Sequence, residues 1–357
     1  MPLTILNVAY PLAPVGPDAV GGAEQVLSLL DAALVEAGHR SLVIAQSGSV
    51  AAGTLLTTTR PEGPLTDSAK ETAQRHYRAV IARALADYPV DVVHFHGVDC
   101  YNYLPPAGLP ALITLHLPPG WYPTELFCLN RPRTFLHCVS AAQRRACPPC
   151  AHLLPDIPNG IPESFFPGPC AKRRFALSLG RICPEKGFHL ALEAATRAGW
   201  PLLIGGEVFP YQSHERYFHR ELTPRLNGQH RFLGPVGLRR KRRLLAAARC
   251  LLAPSLVPET SSLVAMAALA CGTPVVAFPA GALADIVEPG KTGFLVHNQQ
   301  EMAQAIVACG SIAPETCRQS ARRRFSAERM LAQYLALYQR LAAEECLASE
   351  PNQPPIC

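Results

Sequence analysis

Arg181 and Lys186 lie in a Pro-Gly loop, Gly180-Arg181-Ile182-Cys183-Pro184-Glu185-Lys186-Gly187, between the apolar run 175–179 and a helical pattern that begins at Phe188. A helix start offers backbone N–H groups without partners, so two cations brought to it form a clamp for two phosphates. A second stretch, Glu259-Thr260-Ser261-Ser262, precedes an apolar run beginning at Leu263 and ending at Cys271-Gly272-Thr273-Pro274. Small hydroxyl residues cap helix starts, and Gly followed by Pro ends them. The stretch therefore reads as a loop and a helix whose first turn suits phosphate or sugar oxygens. Two further runs, Val90 to His96 and Ala111 to His116, are strand-like and end in histidine. Ligands of open α/β sheets bind beyond the carboxyl ends of the strands, which directs His96 and His116 toward a crevice. His94 reads as a core histidine. His116, followed by Leu117-Pro118-Pro119-Gly120-Trp121, is expected at the rim.

The elements that must hold these residues follow the same alternation throughout. Thr4 to Ala9 is a strand, the loop to Gly22 leads into a helix through Ala37, and Ser41 to Ala45 is the next strand. Gly21-Gly22 let the backbone approach a ligand closely, but the loop is not Gly-x-Gly-x-x-Gly, which argues against a dehydrogenase-type dinucleotide site. Residues 46–66 read as a loop with short extended pieces. Ala69 to Tyr88 reads as a helix with Tyr77, Val80, Ile81, Ala84 and Leu85 on one stripe. Phe135 to Val139 is a strand whose following Ser140 caps the helix Ala141 to Ala146. Pro155 to Pro162 is a turn-rich hinge in which Asn159-Gly160 supplies positive φ. Past it come the strand ending at Gly180, the strand Pro201 to Glu207, Arg231 to Val236, the strand Val275 to Phe278, and helices beginning at Gly281 and Glu301. A last helix is capped by Ser326 and carries Met330, Tyr334, Leu337, Tyr338 and Leu341 on one side. Strand and helix in alternation predict doubly wound parallel sheets.

The chain has 357 residues, room for two domains; 48% are hydrophobic and 17% charged, as in a soluble globular protein. No apolar run is long enough to span a bilayer and the first residues lack a basic leader, so a cytoplasmic location is expected. Thirteen cysteines, an odd number, argue against a disulfide framework. Cys147-Pro148-Pro149-Cys150 has redox-like or zinc-like spacing, but only His152 lies near, and buried thiols are the simpler reading. Residues 1–165 hold ten Lys/Arg against thirteen Asp/Glu, leaving 23 against 14 of the chain's 33 and 27 for the remainder. A basic second half suits a nucleoside diphosphate and equally an anionic membrane surface. Nucleic acid is disfavoured, since no aromatic-basic platform is present. The run Arg239-Arg240-Lys241-Arg242-Arg243 is either a solvated helix start or a lipid-facing patch.

With these residues in place, the chain resembles the retaining glycosyltransferases of family 4, the glycosyl transferases group 1 with the GT-B fold. The resemblance rests on Gly-Arg-x-x-x-x-Lys-Gly at 180–187, on Glu259 and the Ala-Cys-Gly-x-Pro-Val ending at 270–275, on Gly21-Gly22-Ala23-Glu24, and on the Thr-x-His strand end at 116. It implies two Rossmann-like domains with a cleft between them: an acceptor-side domain 1–168, a nucleotide-sugar domain 169–325, a C-terminal helix 326–348 crossing back to the first domain, and a disordered tail 349–357. It implies donor contacts from Gly21, Gly22, Gly180, Arg181, Lys186, Val236, Glu259, Thr260, Ser261, Ser262 and Leu263. Catalytic roles fall to His116, Glu259, Arg181 and Lys186, with His96 and Trp121 on the acceptor side. Expected partners are a nucleotide sugar such as a UDP-sugar and a hydroxyl acceptor, as in cell-envelope polysaccharide synthesis. No metal, no cofactor and a monomer or weak dimer are expected, with peripheral contact at the inner face of a membrane. The family carries a second Glu eight residues after the first, where it holds the ribose diol; here that position is Ala267. The departure leaves open a non-catalytic sugar-nucleotide-binding protein, and the shared fold an epimerase.

Overall fold

The computed structural model describes residues 2–59, 66–168 and 170–343. Two compact units emerge: a first unit of residues up to Pro158 together with those from Met330 on, and a second unit from Asn159 to Arg329.

In the first unit the elements run β1 (Thr4–Val8), α1 (Gly22–Glu36), β2 (Arg40–Gln46), β3 (Thr54–Thr58), α2 (Asp67–Asp87), β4 (Val92–Phe95), β5 (Ala111–Leu115), α3 (Thr124–Phe127), β6 (Thr134–Cys138) and α4 (Ala141–Ala146). All six strands are parallel, in the order β3-β2-β1-β4-β5-β6. Strands covered on both faces are largely apolar, and β1 and β5 are buried at every position. Helix α2 is capped by Thr66, whose side chain accepts from the Ala69 N–H, and it buries Ala73, Tyr77, Ile81 and Ala84, one side of a helix at spacings of three and four residues. Residues 46–66 were expected to be a loop with short extended pieces; one such piece, β3, joins the sheet, pairing in parallel with β2, Leu42 beside Thr54. Its half-exposed Thr-Leu-Leu-Thr-Thr has no alternation to reveal it; the Asp31 carboxylate fixes its start by accepting from Ala52 and Gly53 N–H.

The second unit runs β7 (Ala176–Leu179), α5 (Phe188–Arg197), β8 (Leu202–Gly205), α6 (Gln212–Tyr217), β9 (His230–Phe232), α7 (Leu238–Ala247), β10 (Cys250–Ala253), α8 (Leu263–Ala270), β11 (Val275–Ala277), α9 (Ala282–Ile286), β12 (Gly293–Leu295), α10 (Gln299–Ala308) and α11 (Pro314–Phe325). Its parallel sheet reads β9-β8-β7-β10-β11-β12, the same order as the first when strands are counted within each unit. Helix α8 begins as the sequence suggested: the Ser262 hydroxyl accepts from the Ala265 N–H, and Gly272, at φ +72, ends it.

The last helix, α12 (Ala327–Ala342), belongs to the first unit from Met330 on. The stripe Met330, Tyr334, Leu337, Tyr338 and Leu341 is buried there. Residues 344–357, including the tail expected at 349–357, and Pro169 lie outside the described residues. The units divide at Pro158/Asn159 rather than near Pro169. The reason is local pairing: Ile161 N–H donates to the Phe325 carbonyl, and Ala327 N–H donates to that of Ile161, which ties the hinge to the second unit. Gly160 does not take positive φ; it is glycine because a Cβ would collide with the backbone of Ser326 and Ala327.

Candidate functional site

In a sheet of this order the crevice opens where the chain leaves the two central strands in opposite directions. In the second unit those strands are β7 and β10. The loop after β7 carries Arg181 and Lys186, and the loop after β10 carries Glu259. The structure brings Lys186 and Glu259 together, Nζ to Oε1 at 2.6 Å, with both side chains partly covered. Backbone bonds stitch the two loops: Leu256 N–H and the Ser255 hydroxyl both donate to the Glu185 carbonyl. Gly187 takes φ +65, and a Cβ on it would strike the Pro254 carbonyl, so only glycine lets the loops approach this closely. Gly180, at the end of β7, donates its N–H to Gly205. Val236 packs where a Cβ on Gly205 would be.

Arg181 behaves differently from Lys186. It is exposed, and among the described residues its guanidinium makes no hydrogen bond or ion pair. An exposed guanidinium on the loop that leaves β7 is open to an anion. Glu259 is held by its own backbone, N–H to the Ala280 carbonyl and its carbonyl to Ala282 N–H, so its carboxylate is placed by β-bridge geometry and not by a mobile loop. Thr260 and Ser261 are partly exposed at the approach to α8, Ser262 is committed to its cap, and Leu263 opens the helix.

In the first unit the central strands are β1 and β4. The segment after β1 leads to Gly21 and Gly22, which start α1, with the Glu24 carboxylate folded back against Gly21. Glu24 is buried, and burial raises its pKa. Sequence reading placed it in the Gly21-Gly22-Ala23-Glu24 motif without naming it as a site residue. Past β4 and β5 stand His96 and His116, Nδ1 to Nε2 at 3.1 Å with rings stacked at 5.3 Å. His116 was expected at a rim and is instead 8% exposed. Burial, then the charge of His137, pushes its pKa down to about 3, so the imidazole is neutral. His96 is also buried and pushed down, and its Nε2 has no partner among the described residues. Trp121 is 57% exposed on the turn after β5.

Beneath this pair lies a buried chain with a single consistent proton order. The Cys138 carbonyl can only accept, so His137 Nδ1 carries the hydrogen of their 3.1 Å bond. His137 is neutral, its pKa pushed to about 4 by burial, so Nε2 accepts from the Thr114 hydroxyl at 2.6 Å. Thr114 then has only lone pairs for His94 Nε2 at 2.6 Å, and that nitrogen must donate. His94 Nδ1 is left to accept from Tyr338 at 2.6 Å. His94 is thus a core residue, fully buried, that locks the last helix to β4.

Residues 173–310 match the family described as glycosyl transferases group 1. A D-inositol 3-phosphate glycosyltransferase of Geodermatophilus obscurus is 31% identical over 229 residues, covering 56% of this chain and 50% of that protein. The chain therefore spans about half the length of the curated relatives it matches. Among solved structures, AviGT4, a glycosyltransferase involved in avilamycin A biosynthesis, superposes with a TM-score of 0.70 at 26% identity, covering 96% of this chain and 98% of the other. Anabaena Alr3699/HepE, solved in complex with UDP-glucose, gives a TM-score of 0.72 at 21% identity over 94% and 100%.

Proposed function

We propose that the chain, whose residues 173–310 match the glycosyl transferases group 1 family, moves a sugar from a nucleotide-sugar donor to an acceptor hydroxyl, with retention and without a metal. The observation that carries the reading is the Lys186–Glu259 pair at the switch point of the second sheet, with the exposed Arg181 on the same loop as Lys186. Breaking the sugar–phosphate bond leaves charge on the nucleoside diphosphate, and fixed cations that meet this charge lower the barrier. Lys186 leaves Glu259 for phosphate, and Glu259 is released to a donor hydroxyl. In the first unit a neutral His116 donates or accepts a hydrogen bond from a sugar hydroxyl and takes no proton at neutral pH. His96, with its orphaned Nε2, offers an acceptor-side contact.

UDP-glucose is the first donor to try, because a protein of the same fold binds it. Purified chain is incubated with UDP-, GDP- and ADP-sugars and nucleoside diphosphate release is measured. Turnover with one donor, falling by about 100-fold or more in Arg181→Ala, is expected. Binding of a sugar nucleotide without release from any donor favours the non-catalytic reading that Ala267 raises; isomerised donor without acceptor favours an epimerase.

We also propose peripheral contact with an anionic membrane. Arg173, Arg231, Arg239, Arg240, Arg242 and Arg243 line one groove of the second unit, which no carboxylate lines. None of the six has an ion-pair partner among the described residues. Cosedimentation with vesicles containing anionic phospholipid, lost at high salt and in an Arg239/Arg240/Arg243→Glu variant, is the expected result; equal binding to neutral vesicles would remove the proposal.

A further inference from the structure

The loop that carries Arg181 and Lys186 also holds a group of side chains with no part in sugar transfer. Cys183, at the loop's bend, is buried; Glu185, in the turn Pro184–Lys186, is exposed; His214 sits on α6. Their ligand atoms, a sulfur, a carboxylate oxygen and a ring nitrogen, all lie within 4.8 Å of one another. His214 Nδ1 is buried and has no hydrogen-bond partner among the described residues. A buried ring nitrogen without a partner is unfavourable, and a coordinate bond would give it one.

From this geometry we propose that Cys183, Glu185 and His214 form a binding site for a zinc-type divalent cation, with the fourth position open to solvent beside Glu185. Thiolate, imidazole and carboxylate are the ligand types zinc takes, and three protein ligands with one open position is one of its usual arrangements. Charge agrees. A thiolate and a carboxylate cancel the ion's two positive charges, so Arg181, which acts electrostatically on all three residues, meets a neutral cluster. Binding ties α6, which follows β8, to the loop that follows β7. The ion acts as a clamp on that loop and has no part in bond breaking, so the site stands or falls independently of sugar transfer.

The test uses the full chain, freed of metal and titrated with Zn2+ by calorimetry and with Co2+ by absorption. Expected are one strong equivalent, a near-ultraviolet thiolate-to-cobalt band, and a higher Tm with zinc. Cys183→Ser should abolish the band, and His214→Ala should weaken binding at least tenfold. Cys147→Ser, which removes one thiol of the 3.4 Å Cys138–Cys147 pair in the first unit, should change neither. Unaltered affinity in both Cys183→Ser and His214→Ala, or loss of binding in Cys147→Ser alone, would overturn the proposal. His214 lies on a short surface helix, so His214→Ala decides the matter even if Cys183→Ser fails to fold.

Discussion

Ala267 is where one side chain separates this molecule from the pattern it otherwise follows. It lies on α8 and is only 3% exposed. Where a carboxylate would accept two ribose hydroxyls, a methyl group accepts none, and each missing bond is worth about 1–3 kcal/mol. Ala267→Glu should then lower the KM for the preferred donor about tenfold, at the conservative end of that range. The same carboxylate is buried when no nucleotide is bound, so the ligand-free variant should melt lower. Initial-rate kinetics and a thermal melt with and without nucleoside diphosphate check both. A variant that melts lower yet gains no affinity would show that position 267 does not face the ribose.

At the scale of elements, β4, β5 and β6 place four buried histidines, His94, His96, His116 and His137, under one layer of side chains. All four have depressed pKa values, chiefly from burial, with neighbouring imidazoles adding to it for His94, His96 and His116. The unfolded chain binds protons near the ordinary value of 6.5 while the folded one holds out to about 3 for His116 and about 4 for His137. Stability is therefore fully present above 6.5 and falls as pH drops through that window, by about 1.4 kcal/mol per pH unit for each histidine still neutral. Calorimetric melts between pH 7.5 and 4.5 should show this, with a shallower slope in His137→Gln. An unchanged slope would place the acid sensitivity elsewhere.

The same elements show what the sequence made legible. The parallel strands were readable because runs such as Leu42-Val43-Ile44 are apolar without a break, and α8 because its cap and its Gly272 stop are spelled by single residues. Arg181, Lys186 and Glu259 were legible as residue types, and their ion pair was not, since contact between loops 70 residues apart depends on how the sheet closes. Helix α11 was missed because its buried stripe, Cys317, Ala321 and Phe325, is short, mostly small, and set among Arg318, Gln319, Arg322, Arg323 and Arg324. Its signal was Pro314 followed by Glu315 at a helix start. The burial of His116 was illegible for a related reason: its cover comes from neighbours in space that no local pattern names.

For the molecule as a whole, the informative feature is that residues from 330 on complete a unit begun by residue 2. Met330, Tyr334, Leu337, Tyr338 and Leu341 are each no more than 9% exposed. At about 1.5–3 kcal/mol per buried large side chain, their removal withdraws on the order of 10 kcal/mol, comparable to the whole stability of a domain. A chain stopped after Arg329 should keep a protease-resistant second unit and lose the first. Limited proteolysis and far-ultraviolet circular dichroism read the difference; a truncated chain with both units resistant would contradict it.

The bond from Tyr338 to His94 has a consequence for the ribosome. His94 emerges early, and its hydroxyl partner is made 244 positions later. At about 5–20 residues per second the gap lasts on the order of 10–50 s. During that time the second lobe can fold to completion while the face of two imidazoles, His94 and His137, and Thr114 waits uncovered. The nascent chain thus carries a half-finished lobe behind a finished one, a window in which a holding chaperone has a defined surface to protect.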